Sequence, residues 1–314
     1  MRLVFAFMPA LGSPAQETVL LVQSIRRFAG ALASAPVWVM NPVGDGSTSV
    51  SSLGENERRQ LEAGGAVVRD FTGGQEAWGF PFAAKVYAAA EAEEAAAREA
   101  DILVWMDSDT LVVDDPVELL LPPGKGLGFV PVMLALIGSR HDQPVDAFWT
   151  WMYESCGTPT GEVWPVRTVV DGVGIRAYIN AGLMAVRSER TLLRRWRDNF
   201  SRLYRDPEAE VFYGANVLYR IFFHQAVLAA TALSVLSLEE VVQLPRTYNY
   251  PLHLLDRYPV LARLPRINDA VTCRYDEFAF FQNPDWQANM KVDEPLRSWI
   301  LKQLMEPIHP RLSP

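Results

Sequence analysis

Asp101-Ile-Leu-Val-Trp-Met-Asp-Ser-Asp-Thr-Leu-Val-Val113 decides how this chain is read. The apolar run Ile102 to Met106 reads as a strand buried on both faces, the kind that parallel sheets contain. It leads straight into Asp107-Ser108-Asp109, and two carboxylates at the end of such a strand are hard to explain as core. At strand spacing, residues i and i+2 share a face, roughly 7 Å apart. That is too far for a hydrogen-bonded pair and suits two groups that share a divalent cation, directly or through water. Buried without a counter-charge, the pair would place like charges in low dielectric, which is expensive. Solvated turn carboxylates are the bland alternative. Asp114-Asp115-Pro116 reads more simply, as a turn and helix cap.

Outward from this strand, short apolar runs alternate with helical patterns. That order specifies a mostly parallel sheet covered on both faces. Leu3 to Met8 is the first strand, Gln16 to Ala29 a helix and Pro36 to Met40 the second strand. Asn56 to Ala63 and Ala66 to Asp70 add a helix and a strand. Ala83 to Ala100, mostly Ala and Glu, is helical on propensity alone, with Pro81 near its start. Leu127 to Ile137 and Tyr178 to Val186 read as strands. Ser188 is expected to cap a helix whose Leu192, Trp196, Phe200 and Leu203 fall at helical spacing. Asn216 to Leu233 reads as one helix and Leu236 to Leu244 as a strand or strand pair. Asp142 to Val173 has no clean period, and the Pro- and aromatic-rich tail after Pro245 reads as a wrap over the sheet.

With 314 residues, 49% hydrophobic and 21% charged, the chain can bury a large core and has an ordinary globular composition. A net charge of −8 argues against nucleic acid as the main partner. A phosphate-bearing ligand would need a local cation. Cys156 and Cys273 are the only cysteines; they make no disulfide framework, have no metal-spaced neighbours, and read as structural. No apolar run reaches the roughly 18 to 20 residues of a membrane span. Pro9 interrupts the run Leu3 to Leu11, and Leu3 to Met8 serves better as a buried strand than as part of a signal peptide, so the cytoplasm is the expected compartment. Arg190, Arg194, Arg195 and Arg197 read as a solvated face, or more weakly as a contact for anionic lipid or acidic polysaccharide.

Three segments, in order, resemble the nucleotide-sugar glycosyltransferases of the GT-A fold, most closely the glycogenin-like and bacterial galactosyltransferase-like group. The first is Ala100-Asp-Ile-Leu-Val-Trp-Met-Asp-Ser-Asp-Thr-Leu-Val112. The second is Tyr178-Ile-Asn-Ala-Gly-Leu-Met-Ala-Val186. The third is Phe223-His-Gln-Ala-Val-Leu228 followed by Leu244-Pro-Arg-Thr-Tyr-Asn-Tyr-Pro251. The resemblance implies an α/β fold of GT-A type, a Rossmann-like, mostly parallel sheet with helices on both faces. Residues 1–255 would be the nucleotide-sugar-binding and catalytic domain, and residues 256–314 a C-terminal wrap packed on the same domain.

The same resemblance assigns roles. Asp109 would bind a metal, Mn2+ or Mg2+, and Asp107 the metal, the ribose or both. The cation would bridge the donor's phosphates and neutralise the departing nucleoside diphosphate. Lys85 lies where these enzymes carry a basic residue near the nucleotide, or else is a surface lysine. Asn180 can donate to and accept from sugar hydroxyls, and Gly182 lets a sugar approach the backbone; a simple bend in the strand is the alternative. Gln225 would face the donor sugar, whereas His224 beside it reads more often as a satisfied core residue. Asp171 is a catalytic base or a turn residue. Phe148-Trp-Thr-Trp-Met-Tyr153, with Trp164, reads as a sugar-stacking loop or a small satellite core.

In one respect the chain departs from the group, which commonly supplies a late histidine as a third metal ligand. Val271-Thr-Cys-Arg-Tyr-Asp276 sits about where that strand should be, with Arg274 and no histidine. On this reading His253, His309, Asp276 or water would complete the shell, or Arg274 would grip the pyrophosphate bidentately. The implied activity is transfer of a hexose from a nucleoside diphosphate donor, with UDP expected, to a carbohydrate or other hydroxyl acceptor, with retention. A non-catalytic sugar-nucleotide-binding protein is the alternative. A haloacid-dehalogenase-type phosphatase also follows from Asp-x-Asp after an apolar strand, but would want Thr or Val where Leu111 stands.

Overall fold

The structure is a computed structural model that describes residues 1–10, 15–44, 53–159, 161, 163–276 and 278–305. The chain opens with β1 (Leu3–Met8), α1 (Gln16–Phe28), β2 (Val37–Pro42), α2 (Glu55–Ala63) and β3 (Ala66–Phe71). There follow α3 (Ala83–Glu99), β4 (Ile102–Asp107), β5 (Thr110–Val112) and β6 (Leu127–Pro131). Next come α4 (Ala147–Cys156), β7 (Pro165–Arg167), β8 (Gly174–Arg176), β9 (Ile179–Arg187) and α5 (Leu192–Leu203). The last stretch holds α6 (Pro207–Ala215), α7 (Val217–Ile221), α8 (Phe223–Val235), β10 (Val241–Gln243), β11 (Tyr250–Pro251) and β12 (Thr272–Arg274). Three short helices close the described chain: α9 (Ala279–Gln282), α10 (Trp286–Asn289) and α11 (Leu296–Met305).

Seven strands form the central sheet in the order β10-β6-β9-β4-β1-β2-β3. β9 alone runs against its neighbours β4 and β6, and the other pairings are parallel. Every residue of β1, β2 and β4 is buried, which their unbroken apolar runs demand, since both faces are covered. On one face lies α3, whose buried Ala88, Ala89, Ala92 and Ala96 let the helix sit close to the strands. α1 covers the other face with Leu21, Val22 and Ile25.

A second sheet, β11-β12-β5, builds on the strand that leaves the acidic motif. β12 pairs antiparallel with β5, Arg274 opposite Thr110. The segment after Tyr250 packs its own apolar cluster against Leu20, Leu111 and Val113. Cys156 and Cys273 are free and buried, and burial pushes both thiols up to about 12. Among the described residues no helix is long and apolar enough to cross a membrane.

Several local expectations are corrected. The stretch Asp142 to Val173 contains α4, capped by Asp146, whose side chain accepts from Trp149 N–H at 3.0 Å. Its aromatic residues are buried in the main core: Phe148, Trp149 and Tyr153 are almost wholly covered, and Trp149 Nε1 donates to the Ile137 carbonyl. They are packing, with no face left for a sugar. The strand expected to run to Ile137 stops at Pro131, where the chain turns away. Asn216 to Leu233 is two helices meeting at Phe222, and Leu236 to Leu244 yields only the short β10. Ser188 does not cap α5: Thr191 precedes it in a left-handed conformation with no side-chain cap. Glu93 of α3 takes that place, accepting from the N–H groups of Leu193 (3.1 Å) and Arg194 (2.9 Å).

Candidate active site

Parallel pairing sets Met8 beside Asp107, so the acidic motif emerges at the carboxyl ends of β1 and β4, where ligands of open α/β sheets gather. A cleft of two lobes opens there. One, of about 290 Å³, is lined by Met8, Trp78, Phe80, Trp105, Ser108 and Asp109 among others. The other, of about 360 Å³, is lined by Met133, Tyr178, Asn180, Gly182, His224 and Gln225 among others. Phe82, Lys85, Asp107, Arg274 and Asp276 border both lobes.

The junction between the lobes is a compact set of charges. Lys85, in the first turn of α3, places Nζ 2.5 Å from Asp107 Oδ1. Arg274 Nε donates to Asp109 Oδ2 at 2.9 Å. Its Nη1 lies 3.5 Å from Asp107 Oδ2 and its Nη2 3.8 Å from Asp276 Oδ1. The β5–β12 pairing fixes this reach, and Tyr275 N–H adds a 3.1 Å bond to the Asp109 carbonyl.

Burial raises the cost of ionising Asp107, but the Lys85 and Arg274 charges outweigh it and hold its pKa below the usual value. Asp109 is pushed up by burial and by Asp107, with Arg274 acting against both. Burial works against the Arg274 charge, and Asp109 and Asp107 more than offset it.

Around this junction Gly182 occupies a position where a Cβ would meet Asp107 Oδ2 at 2.8 Å. The close approach there is Asp107's, a different reason for glycine than a sugar nearing the backbone. Asn180 Oδ1 accepts from Gly182 N–H at 2.7 Å, and Gln225 Oε1 accepts from Ala181 N–H at 3.0 Å. The Gln225 side chain also hydrogen-bonds the Tyr178 hydroxyl, and both amide groups line the second lobe.

His224 is buried, its Nδ1 3.2 Å from the Ile221 carbonyl. Burial and then Lys85 hold its pKa well below the ordinary histidine value. Asp171 is not brought to the cleft. It sits exposed in a turn, accepting from Ala135 N–H at 3.1 Å and from the Thr168 hydroxyl. His309 lies outside the described residues.

A family model described as the Rhodobacterales glycosyltransferase domain matches residues 7–232. The chain belongs to that glycosyltransferase family. By sequence, no curated protein matches it.

Among solved structures the glycosyltransferase is similar to the apo form of the bifunctional glycosyltransferase WbbM, at a TM-score of 0.54 and 17% identity. That alignment covers 96% of this chain and 51% of WbbM, so the chain spans about half its length. It is also similar to the galactosyltransferase LgtC in complex with donor and acceptor sugar analogs (TM-score 0.48, 15% identity, 95% and 99% covered). Apo mouse xyloside xylosyltransferase 1 aligns at 0.43 and 15%, over 93% and 94%. The expected fold, a GT-A-type α/β sheet, is the one found.

The residues of this glycosyltransferase do not fit the divalent cation that the Asp-x-Asp motif implies. Such an ion takes six or more oxygen ligands at short range. Here one oxygen of Asp107 faces Lys85, its other faces Arg274, and Asp109 is bonded to Arg274. Among the described residues no group of three His, Cys, Asp or Glu is placed to hold a metal. His253 borders the cleft with Nδ1 turned to the Arg274 carbonyl at 3.5 Å.

Sequence reasoning missed Phe82. Its backbone is left-handed (φ 60°), its side chain 45% exposed, and its ring lies 4.4 Å from that of His224 and 5.0 Å from Lys85 Nζ. A non-glycine residue held in that conformation costs energy that the surroundings must supply, and such strain clusters at ligand sites. The signal was local: an aromatic residue directly after Phe80-Pro81, ahead of a long helix.

Proposed function

We propose that this glycosyltransferase moves a hexose from a nucleoside diphosphate donor, UDP-linked by preference, to the hydroxyl of a carbohydrate or similar acceptor. One observation carries the reading: two lobes meet at Lys85 and Arg274, so a diphosphate bound there would lie between a nucleoside lobe and a sugar lobe. Trp78, Phe80 and Trp105 give the first lobe the apolar walls a nucleoside needs. Asn180 and Gln225 give the second the amides that sugar hydroxyls need.

Retention is the stereochemistry we propose. Among the described residues, Asp107 and Asp276 are the only carboxylates lining the sugar lobe, and both face Arg274. Neither is free to act as the opposed base that inversion requires. Residues 1–255 form the catalytic domain on this reading, and the segment from 256 wraps over it and contributes Arg274. Two free cysteines suit a reducing, cytoplasmic setting.

The test is the melting temperature of the full chain against a panel of nucleoside diphosphate sugars, followed by anomeric analysis of any product by NMR. A single donor that raises the midpoint by mass action and yields a product of retained configuration is expected. Stabilisation by no sugar nucleotide would overturn the reading, as would binding with no turnover for any acceptor.

A further inference from the structure

We infer that this glycosyltransferase carries its own cationic donors for the sugar nucleotide: Lys85 and Arg274 hold the two phosphates, and binding and transfer need no divalent metal. The inference rests on the function proposed above and concerns how that function is performed.

Arg274 and Lys85 each border both lobes, and no other Lys or Arg among the described residues lines either one. Their side chains are 23% and 13% exposed, enough to meet a ligand in the cleft while their inner sides hold the aspartates. The chain as a whole carries a charge of −8, and Asp107, Asp109 and Asp276 already balance these two cations, so a diphosphate would be held by the N–H donors they present to the cleft and not by a net positive charge.

Occupancy is the second point. An acidic pair that holds a divalent metal has to turn its oxygens to the ion. Here the pair faces a guanidinium and an ammonium at 2.5 to 3.5 Å. For a metal to enter, one of these cations would have to leave a site where it is paired with buried carboxylates, which is strongly unfavourable. Arg274 uses Nε on Asp109 and spreads its terminal nitrogens toward Asp107 and Asp276. The guanidinium carries five N–H donors in a rigid fork, a geometry that matches phosphate oxygens. The aspartates are thus anchors that aim the cations.

The chemistry balances with these groups alone. The bond between the anomeric carbon and the β-phosphate oxygen breaks, and its electron pair stays on that oxygen. The acceptor oxygen bonds to the anomeric carbon, and its proton leaves with the diphosphate. Charge develops on the phosphate oxygens, next to two preorganised cations in a shielded site, where such stabilisation is strong.

The experiment is calorimetric titration of the full chain with UDP, ADP, GDP and dTDP in EDTA and again in MnCl2, on wild type and on Arg274→Ala and Arg274→His. For the nucleoside diphosphate that binds, the Kd in EDTA is expected to lie within about threefold of the Kd in Mn2+, and Arg274→Ala to weaken binding in EDTA by about tenfold or more. Arg274→His replaces the guanidinium with an imidazole beside Asp109 and the one Asp107 oxygen that Lys85 does not hold, and should gain Mn2+ affinity readable by EPR with no nucleotide present. If wild-type binding requires Mn2+, or tightens more than about tenfold with it, the inference falls while the transferase reading stands. Binding of no nucleoside diphosphate in either buffer overturns both. The wild-type comparison decides the matter even where an Arg274 variant fails to fold.

Discussion

Gly182 and Asp107 are locked together: a Cβ at position 182 would stand 2.8 Å from Asp107 Oδ2 and 2.9 Å from Asn180 Oδ1. Two side chains that line the cleft therefore depend on a missing methyl group in β9. Gly182→Ala should displace the Asp107 carboxylate and, through it, Lys85 and Arg274. Overpacking of this kind costs about 1–3 kcal/mol of stability, and a misplacement near 1 Å can cost about a hundredfold in rate. The expected signature is a modest fall in melting temperature with a much larger loss of kcat/KM. Equal, small losses in both would separate Gly182 from the site.

Lys85→Met keeps the length of the side chain and removes its charge. Asp107 then loses its closest counter-ion in a setting where its side chain is only 9% exposed. Leaving a buried charge unpaired costs about 3–5 kcal/mol, somewhat less here because Arg274 remains. The pH dependence has a definite sign. The folded-state pKa of Asp107 is depressed, so its pairing stabilises above the unfolded value and that stability is lost as pH falls through the folded one. The wild type's advantage over Lys85→Met in denaturant unfolding should be full at neutral pH and fade below about pH 4. An advantage independent of pH would mean Lys85 acts through packing alone.

How much of this was readable in the residues depended on whether a signal was local. The buried strand into Asp107, the alanine helix α3 and the parallel order of the first strands follow from apolar continuity and propensity, and all are present. The partnership of Arg274 with Asp109 joins residues 165 positions apart, and no period in the sequence encodes it. It depends on β12 pairing beside β5, a register set by tertiary packing. The helix α4 was hidden because it is buried on most of its surface, so it lacks the polar face that marks an amphipathic helix. Ser188 looked like a cap because serine usually is one, and only the fold reveals that Glu93 reaches across from α3. From the sequence Lys85 reads evenly as surface or site, and the structure puts it at the cleft, 2.5 Å from Asp107.

Asp171 tests the other side of that division. The turn that holds it, with Thr168 and Ala135 as partners, lies away from the residues lining both lobes. Asp171→Ala should cost about 1 kcal/mol or so in turn hydrogen bonds and leave kcat within about twofold of wild type, a change under 1 kcal/mol in barrier. A loss of several hundredfold with no change in melting temperature would return it to the role of base.

The last prediction concerns the scaffold that carries Lys85. Glu93 is fully buried about two turns along α3 from Lys85, and its two oxygens cap α5 while Arg194 Nε approaches at 3.4 Å. Thr191 is in the left-handed region (φ 56°) and offers no cap of its own. Glu93→Ala would orphan two helix N–H donors and strip Arg194 of its partner. Each buried unsatisfied donor costs about 1–3 kcal/mol, so a total near 3–4 kcal/mol is expected in denaturant unfolding. Glu93→Gln keeps one good acceptor and should lose about half as much. Because α3 and α5 pack against each other and Lys85 lies in the first turn of α3, Glu93→Ala should also loosen the cleft, raising KM for the donor more than it lowers kcat. A stability loss with both kinetic constants unchanged would confine Glu93 to holding α5 in place.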